Sequence, residues 1–199
     1  MLRLIEAPTE SALSLADAKA HLKVDLDDDD HLIASLITAI TAHLDGADGI
    51  LGRTLAPQTW ELVEHAFPPT ALSVPLPPLI EIESIKYLDP AREEQTLAPD
   101  KYRVIDGGWG RALIIPAYDA GWPATASELD AVRIRFRCGY QNASSPPRLA
   151  VPEPIIQAMK LMLSDYYDQR GSVVVGAAVS RIPEAAERLL LPYRIIPVA

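Results

Sequence analysis

The stretch from Asp27 to Arg53 constrains the fold more than any other part of the chain. It opens with four consecutive aspartates and continues with apolar residues three and four apart: Leu32, Ile33, Leu36, Ile37, Ile40 and Leu44. Residues at this spacing share one side of an α-helix. Negative charge is favourable at a helix N-terminus, where the first N–H groups lack partners. The pattern predicts a helix of about twenty residues, roughly 30 Å long, whose apolar side must be covered.

Three other segments predict helices that can supply this cover. Ser14 and Asp17 match a variant of the capping box, and the helix that they open runs to about Val24. Pro152-Glu-Pro154 places a proline in the first turn of a third helix, and a short last helix runs over 184–191 and is ended by Pro192. The predicted buried face of the third helix is Ile155, Ile156, Met159, Met162, Leu163 and Tyr166.

Between these helices the pattern changes to the alternation of β-strands. Residues 131–140 give the clearest strand. Its inward face is Val132, Ile134, Phe136 and Cys138, and its outward face is Arg133, Arg135 and Arg137. Further strands are predicted over 59–65, 72–76, 80–87, from 102 and over 111–115, with a tight hairpin connection at 106–110. Prolines confine the piece at 72–76 to a sheet edge or an extended arm, and a slip at Ser84 predicts a β-bulge.

These elements predict an α+β fold. About four helices from both ends of the chain form a helical bundle, and an antiparallel β sub-domain is inserted between them. The helical frame is expected to span residues 10–56 and 150–196, the β sub-domain residues 57–149, and a tail residues 197–199. Residues 1–13 are expected to be an irregular or short extended lead-in.

Composition excludes several classes of protein. The net charge is −9, whereas proteins that grip nucleic acid through phosphate contacts carry clustered Lys and Arg. A negatively charged surface is nevertheless compatible with a channel through which DNA passes without being bound. The single cysteine, Cys138, predicts a buried thiol rather than an intramolecular disulfide. No signal peptide or membrane-spanning run is recognisable, so we expect synthesis and folding in a cytoplasm.

No catalytic, metal or cofactor site is predicted. Read as a calcium loop from Asp25, the aspartate run has Asp30 where glycine is needed and Leu36 where glutamate is needed, so a capped, solvated helix start is favoured. The histidines at 21, 31, 43 and 65 match no metal-ligand spacing. The motif Gly107-Gly-Trp-Gly110 predicts a turn rather than a phosphate-binding loop. The three arginines of the clearest strand could contact phosphate. We favour instead a solvent-facing surface on which they form salt bridges with Glu81 and Glu83.

An ordered set of segments resembles the phage head–tail connector (adaptor) family of siphophages, prophages and gene transfer agents. These segments are Ser14–Asp25, Gln58–Trp60, Pro77–Tyr87, Tyr102–Val104, Gly121–Pro123, Ala131–Ile134, Cys138–Tyr140, Val151–Ile155 and Leu191–Arg194. The resemblance covers roughly residues 10–196. It implies a structural virion protein, without enzymatic activity or cofactor, that forms a ring of about twelve copies in the neck, at the head–tail junction. It also implies a bacterial host, contact with the portal protein above and a stopper or tail-completion protein below, and a channel for DNA.

Two apolar segments are the predicted contact sites within such a ring. Residues 172–179 carry no charge and include Val173, Val174 and Val175, which we expect to order against neighbouring subunits. The C-terminal residues after Pro192 are too apolar for an ordinary solvated tail, and we expect them to pack against the portal. Their predicted contact residues are Tyr193 as anchor, Arg194 as charged contact, and Ile195 and Ile196.

Two alternatives stay open. One is another ring of the same neck, such as a stopper or a tail terminator. The other is a ligand- or carbohydrate-binding β module on a helical stalk, with Trp60, Trp109 and Trp122 as a sugar platform. Since Trp60 lies in a segment with the alternation of a β-strand, we expect its side chain to pack in the core. An enzyme is the weakest reading.

Overall fold

The computed structural model describes residues 1–107, 111–118, 120–141, 150–168 and 182–195. Helices and antiparallel sheets are both present, so the fold is α+β. The chain divides into two compact units. We call residues 1–9 with 56–140 the β unit, and residues 10–55 with 141–199 the helical unit.

Within the described residues the helical unit contains four α-helices: α1 (Leu15–Leu22), α2 (Asp30–Leu44), α3 (Glu153–Asp168) and α4 (Glu184–Leu190). A 3-10 turn, Leu191–Tyr193, follows α4 directly. Helix α3 packs against α1, α2 and α4, and its buried side chains are Ile155, Ala158, Met159, Met162 and Leu163. No described helix has the length and apolar character that crossing a membrane requires.

Helix α2 is shorter than the sequence predicts. It has 15 residues, about 22 Å at the α-helical rise, instead of about twenty residues. The predicted apolar stripe is confirmed, because Ile33, Ile37, Ile40 and Leu44 are buried. The helix stops because the backbone turns to an extended conformation at Asp45, whose carboxylate accepts the N–H of Leu55 at 2.6 Å.

The predicted cap of α1 is confirmed. The Ser14 hydroxyl oxygen accepts the backbone N–H of Asp17 at 3.0 Å, which satisfies one of the unpaired donors of the first turn. The helix ends one turn before the aspartate run, at Lys23, which has a left-handed conformation with φ +57°. This stop separates α1 from α2.

The β unit contains two antiparallel sheets built from eight strands within the described residues. The strands are β1 (Leu2–Glu6), β2 (Gln58–Glu64), β3 (Leu72–Val74), β4 (Leu79–Leu88), β5 (Glu94–Thr96), β6 (Tyr102–Asp106), β7 (Ala112–Pro116) and β8 (Val132–Cys138). One sheet has the order β1-β2-β8-β4-β5 and the other the order β3-β7-β6. The first residues, expected as a lead-in, thus form an edge strand, because Leu2 pairs with Leu62 of β2.

Strand β8 lies between β2 and β4, and its inward face is the centre of the β-unit core. Val132, Ile134, Phe136 and Cys138 are fully buried, as the alternation predicts. They pack with side chains from both sheets, among them Trp60, Leu62, Val74, Ile85 and Ile114. The prediction of a buried thiol at Cys138 is confirmed.

Two local predictions within the β unit are also confirmed. The register of β4 against β8 shifts between Ile82 and Ser84, where a bulge was expected. Strand β3 is an edge strand, as the prolines after it require. Strands β6 and β7 pair as a hairpin closed by the Gly107 N–H, which donates to the Arg111 carbonyl at 2.8 Å; residues 108–110 of the predicted connection lie outside the described residues.

The turn between β4 and β5 is organised by Asp89. Its Oδ1 accepts the backbone N–H groups of Ala91 at 2.9 Å and Glu93 at 3.0 Å, and its Oδ2 accepts the Gln95 amide at 3.0 Å. These bonds, first of all the Glu93 N–H, hold the pKa of the Asp89 carboxyl below its usual range.

Replacing Gly139 by Ala should destabilise the β unit strongly. Gly139 has φ +120°, and an added Cβ would stand 2.2 Å from the Ala56 carbonyl oxygen. Backbone strain at such a position costs about 1–3 kcal/mol before the clash is counted. Gly121→Ala is the matched control, because nothing lies within 4 Å of the position of its Cβ. Urea unfolding measures both, and equal stability of the two variants would contradict this account.

The contribution of Asp89 should depend on pH. Because its pKa is lower in the folded chain, the ionised form favours folding; this stabilisation is present above the ordinary pKa of 3.8 and is lost as pH falls through the lowered pKa. Asp89→Asn keeps an acceptor oxygen but has no such titration. The stability difference between the wild type and Asp89→Asn should therefore shrink between about pH 6 and about pH 3 in urea unfolding. A pH-independent difference would refute the assignment.

Candidate functional site

The described end of the chain is fastened to the loop that follows α2. The Ile195 N–H donates to the Leu51 carbonyl at 2.9 Å, and Arg53 Nε donates to the Tyr193 carbonyl at 2.8 Å. We call residues 193–195 together with residues 50–53 the C-terminal clasp. Both halves belong to the helical unit.

Further contacts involve the side chains of Arg53 and Arg194. The Arg53 guanidinium carbon lies 5.9 Å from the centre of the Tyr193 ring, within the range of a cation–π contact. Arg194 Nε donates to the Ile50 carbonyl at 3.3 Å. Gly52 has φ +63°, and a Cβ there would stand 2.9 Å from the Ile195 carbonyl oxygen, so the clasp needs glycine at this position.

Three of the predicted contact residues, Tyr193, Arg194 and Ile195, therefore belong to the clasp. Tyr193 and Ile195 are partly buried in the clasp and Arg194 is exposed. Leu191, which was not among the predicted contact residues, exposes 64% of its surface beside them. The other predicted residues, Ile196, Val173, Val174 and Val175, lie outside the described residues.

A cavity of about 250 Å³ adjoins the clasp. It is lined by His43, Ile50, Tyr166, Ile182, Glu187, Leu190 and Arg194. Ile50 and Arg194 belong to both features, so the cavity opens beside the fastened C-terminal segment. Its lining mixes aliphatic residues with charged groups.

Sequence reasoning placed contact residues at the C-terminus but missed the loop that receives them. Residues 50–53 end the Asp27–Arg53 stretch, for which the pattern predicts only the long helix. The sequence shows the glycine at position 52 and the arginine at position 53. Neither residue indicates that the partner of Arg53 is Tyr193, 140 residues away.

The aspartate run is a solvated helix start, as predicted, since Asp27 and Asp28 are exposed, but the Asp29 side chain at the N-cap makes no capping hydrogen bond and three of the carboxylates bind groups on other helices. Lys19 of α1 places its Nζ 2.7 Å from Asp27 and 2.6 Å from Asp30. Hydrogen bonds to these carboxylates raise the pKa of Lys19, and the bond from Lys19 lowers the pKa of Asp27. Asp29 accepts a hydrogen bond from the Tyr167 hydroxyl of α3. The carboxylates thus tie three helices together.

The outward face of β8 carries ion pairs, as predicted, but with other partners. Arg133 lies 3.3 Å from Glu94 and Arg135 lies 3.6 Å from Glu61. Glu94 also binds Lys86 at 2.8 Å, and Lys86 first and Arg133 second hold the pKa of Glu94 below its usual range. Glu83, a predicted partner, instead accepts the Thr59 hydroxyl at 3.2 Å.

The described histidines do not assemble a reactive centre. His21 Nε2 lies 3.1 Å from the Ser164 hydroxyl and links α1 to α3, but within the described residues no carboxylate is hydrogen-bonded to the ring. His65 Nδ1 lies 2.8 Å from the Glu128 carbonyl oxygen. The described part of the chain contains no group of three His, Cys, Asp or Glu side chains placed to hold a metal ion.

Comparisons with known proteins agree with this architecture. No protein-family model matches the chain, and no curated protein matches it. Among solved structures, a chain from "Neck of empty GTA particle computed with C6 symmetry" is 23% identical with a TM-score of 0.74. A chain from "Virion of native gene transfer agent (GTA) particle" is 24% identical with a TM-score of 0.75, and one from "Neck of native GTA particle computed with C12 symmetry" is 22% identical with a TM-score of 0.69. Each match covers 100% of this chain and 97% of the other. At these identities the likeness shows a common fold over the whole length.

Removing the Arg53 side chain should open the clasp. Arg53→Ala loses the Nε donor to Tyr193 and the contact with its ring, so the Ile195 amide should exchange with solvent about fivefold faster, equivalent to about 1 kcal/mol of lost hydrogen bonding. Hydrogen exchange of the Ile195 amide is the measurement. Arg188→Ala is the control, because Arg188 forms an exposed pair with Glu184 on α4 outside the clasp. Unchanged exchange in Arg53→Ala would rule out this role for Arg53.

Proposed function

We propose that this chain is a structural protein of a virion neck, a head–tail connector (adaptor) of a phage, prophage or gene transfer agent. The observation that carries the proposal is the full-length likeness to chains from gene transfer agent particles, two of them described as necks. Because the matches cover 100% of this chain and 97% of each of the other chains, both units of the chain have a counterpart, so the likeness does not rest on one common sheet or helix pair.

The proposed assembly is a ring of about twelve copies beneath the portal protein. The neck structures that it resembles were computed with C6 and C12 symmetry, which agrees with a cyclic assembly of this size. In such a ring each copy meets the next through two different surfaces. The ring extends the DNA channel and offers its far side to a stopper or tail-completion protein. The net charge of −9 disfavours adhesion of the passing DNA.

The proposed domain organisation is a helical frame that carries an inserted β sub-domain. The frame consists of α1 and α2 from one part of the chain and α3 and α4 from the other. Strands β2 to β8 are inserted between α2 and α3, within the predicted range 57–149, whereas β1 precedes α1. Residues 1–9 group with the β unit rather than preceding the frame as a lead-in.

The C-terminal clasp supports a contact between the C-terminal segment and the portal. Tyr193 and Ile195 hold the segment on the helical unit, while Arg194 and Leu191 present exposed side chains. We therefore divide the predicted contact residues. Tyr193 and Ile195 fix where the segment lies, and Arg194 with Ile196 contacts the portal. Val173, Val174 and Val175 are proposed to contact the neighbouring copy.

Purified protein mixed with portal-bearing heads tests this function. We expect electron microscopy to show an added ring below the portal, with the subunit count given by mass measurement. Added density at another level of the neck would favour the stopper or tail-terminator alternative. Absence of the protein from the neck, or turnover of a small molecule by the isolated chain, would overturn the proposal.

Deleting residues 196–199 should abolish attachment to portal-bearing heads without unfolding the chain. This truncation leaves the described contacts of Tyr193 and Ile195 intact, whereas deletion from residue 193 would also remove them. Circular dichroism checks folding, and co-sedimentation with heads measures attachment. Arg194→Ala should weaken attachment by a smaller factor. Full attachment of the truncated chain would refute the C-terminal contact.

The carbohydrate-binding alternative finds no support in the described tryptophans. Trp60 is buried in the core of the β unit, and its Nε1 donates to Gln58 at 2.9 Å. Trp122 stacks on Phe67 with ring centres 4.7 Å apart. A sugar platform needs exposed ring faces. The Trp60 ring is buried, and one face of the Trp122 ring is covered by Phe67. Trp109 lies outside the described residues.

A further inference from the structure

The three-stranded sheet β3-β7-β6 turns an aliphatic surface away from the core. Its inner side chains, among them Leu72 and Ile114, lie in the β-unit core. Successive side chains of a strand alternate between the two faces, and directly paired residues share a face, so Ile105, Leu113 and Ile115 lie on the other side of the sheet. Ile105 exposes 39% of its surface, and Leu113 and Ile115 are half-buried. The described core cluster includes none of these three side chains.

A positive charge lies on the same surface. The register places Arg103 directly opposite Ile115, Ile105 opposite Leu113, and Ser73 on the other side of Leu113. We call these five residues the outer face. Arg103 is exposed and forms no ion pair within the described residues. The outer face therefore fits a partner that presents an apolar side chain next to negative charge.

The loop between α1 and α2 has the complementary character. Asp25, Leu26, Asp27 and Asp28 are all exposed, and Leu26 exposes 71% of its surface. Single exposed leucines are common on protein surfaces, but this one lies between carboxylates. In the part of the chain that the structure describes, Asp25 and Asp28 form no ion pair. We call residues 25–28 the acidic loop.

The acidic loop is fixed at both ends. Before it, the Val24 N–H donates to the Lys19 carbonyl at 3.1 Å, and at its end the Asp30 N–H donates to the Asp27 carbonyl at 3.1 Å. Lys19 Nζ also binds the Asp27 carboxylate at 2.7 Å. Because these bonds hold the loop in the isolated chain, a partner that binds it pays little conformational entropy to order it.

We propose that the acidic loop of one copy docks on the outer face of the next copy around the ring, an interface that rests on the proposed ring assembly. Leu26 packs among the three aliphatic side chains of the outer face, and Asp25 and Asp28 lie towards Arg103. Burial of the apolar side chains contributes affinity, and the opposite charges set the orientation and disfavour wrong partners.

The charges favour a contact between two different surfaces. Two acidic loops in contact would bring carboxylates together, and two outer faces in contact would bring Arg103 beside Arg103, and like charges repel. The acidic loop belongs to the helical unit and the outer face to the β unit. Each copy then offers one surface to each neighbour, which is the heterologous contact that a ring requires.

Cross-linking of two single-cysteine variants tests the docking directly. One chain carries Leu26→Cys, and a second chain, distinguished by an affinity tag, carries Ile105→Cys. Mild oxidation of the mixture, in solution and again with portal-bearing heads, should give a covalent heterodimer on non-reducing gels. Cys138 is fully buried and does not interfere. Absence of the heterodimer under both conditions would overturn the proposal.

Leu129→Cys is the matched control for the outer face. Leu129 belongs to the same unit and exposes 87% of its surface, so its thiol is at least as accessible as one at position 105. A mixture of Leu26→Cys with Leu129→Cys should give no heterodimer. Equal yields in the two mixtures would contradict the docking. So would a Leu26→Cys homodimer as abundant as the heterodimer, because it would indicate contact between two acidic loops.

Charge reversal in the same cysteine background tests the ionic part of the contact. Arg103→Glu in the Ile105→Cys chain should lower the heterodimer yield about fivefold, the upper range for an exposed ion pair. Asp25→Arg with Asp28→Arg in the Leu26→Cys chain should restore it. Arg3→Glu, on an exposed arginine of strand β1 in the other sheet, is the control and should leave the yield unchanged. Circular dichroism checks the fold of each variant, and failure of the double reversal to restore the yield would refute the docking.

The position of the wild-type protein on portal-bearing heads, observed by electron microscopy, separates this inference from the proposed function. A neck ring that forms without the cross-link between positions 26 and 105 would overturn the docking and leave the neck function standing. A cross-link in solution from a chain that never joins a neck would support the docking and overturn the function.

Discussion

The β unit depends on the burial of one face of β8. Strand β8 hydrogen-bonds to β2 on one side and β4 on the other, and every second side chain from Val132 to Cys138 is fully buried. Burying one large aliphatic or aromatic side chain contributes about 1.5–3 kcal/mol, which is a large part of the net stability of a domain. The edge strands β1 and β6 contribute Leu2 and Tyr102 to the rim of this core, and the other four side chains of each strand are exposed.

Sequence reasoning succeeded where a repeating pattern faces one core. The alternation of β8, the helical spacing of α2 and the cap at Ser14 each identify an element from neighbouring residues. Each is a local property, since side-chain direction has a period of two in strands and 3.6 in helices. The bulge near Ser84 was predictable for the same reason, because it interrupts a period of two.

The remaining features depend on partners that are distant in sequence. Loop 50–53 receives residues 193–195, and no pattern within either segment indicates the other. The aspartates before α2 matched the rule for helix N-termini, yet Lys19 and Tyr167 bind them because of where α1 and α3 pack. Strand β1 was expected as a lead-in because five residues are too few for alternation to stand out, and its pairing with β2 decides its structure.

The clasp has an energetic scale that suits a contact made during assembly. The hydrogen bonds from the Ile195 N–H to Leu51 and from Arg53 Nε to Tyr193 contribute about 0.5–1.5 kcal/mol each, and an exposed cation–π contact about 0.5–1 kcal/mol. Such a sum keeps the segment on the helical unit most of the time, because each 1.4 kcal/mol corresponds to about a factor of ten in population. It is nevertheless smaller than the free energy of a stable protein–protein interface. A partner that binds residues 193–195 can therefore displace them from loop 50–53 without unfolding the helices, and a partner that binds beyond Ile195 finds the segment already positioned.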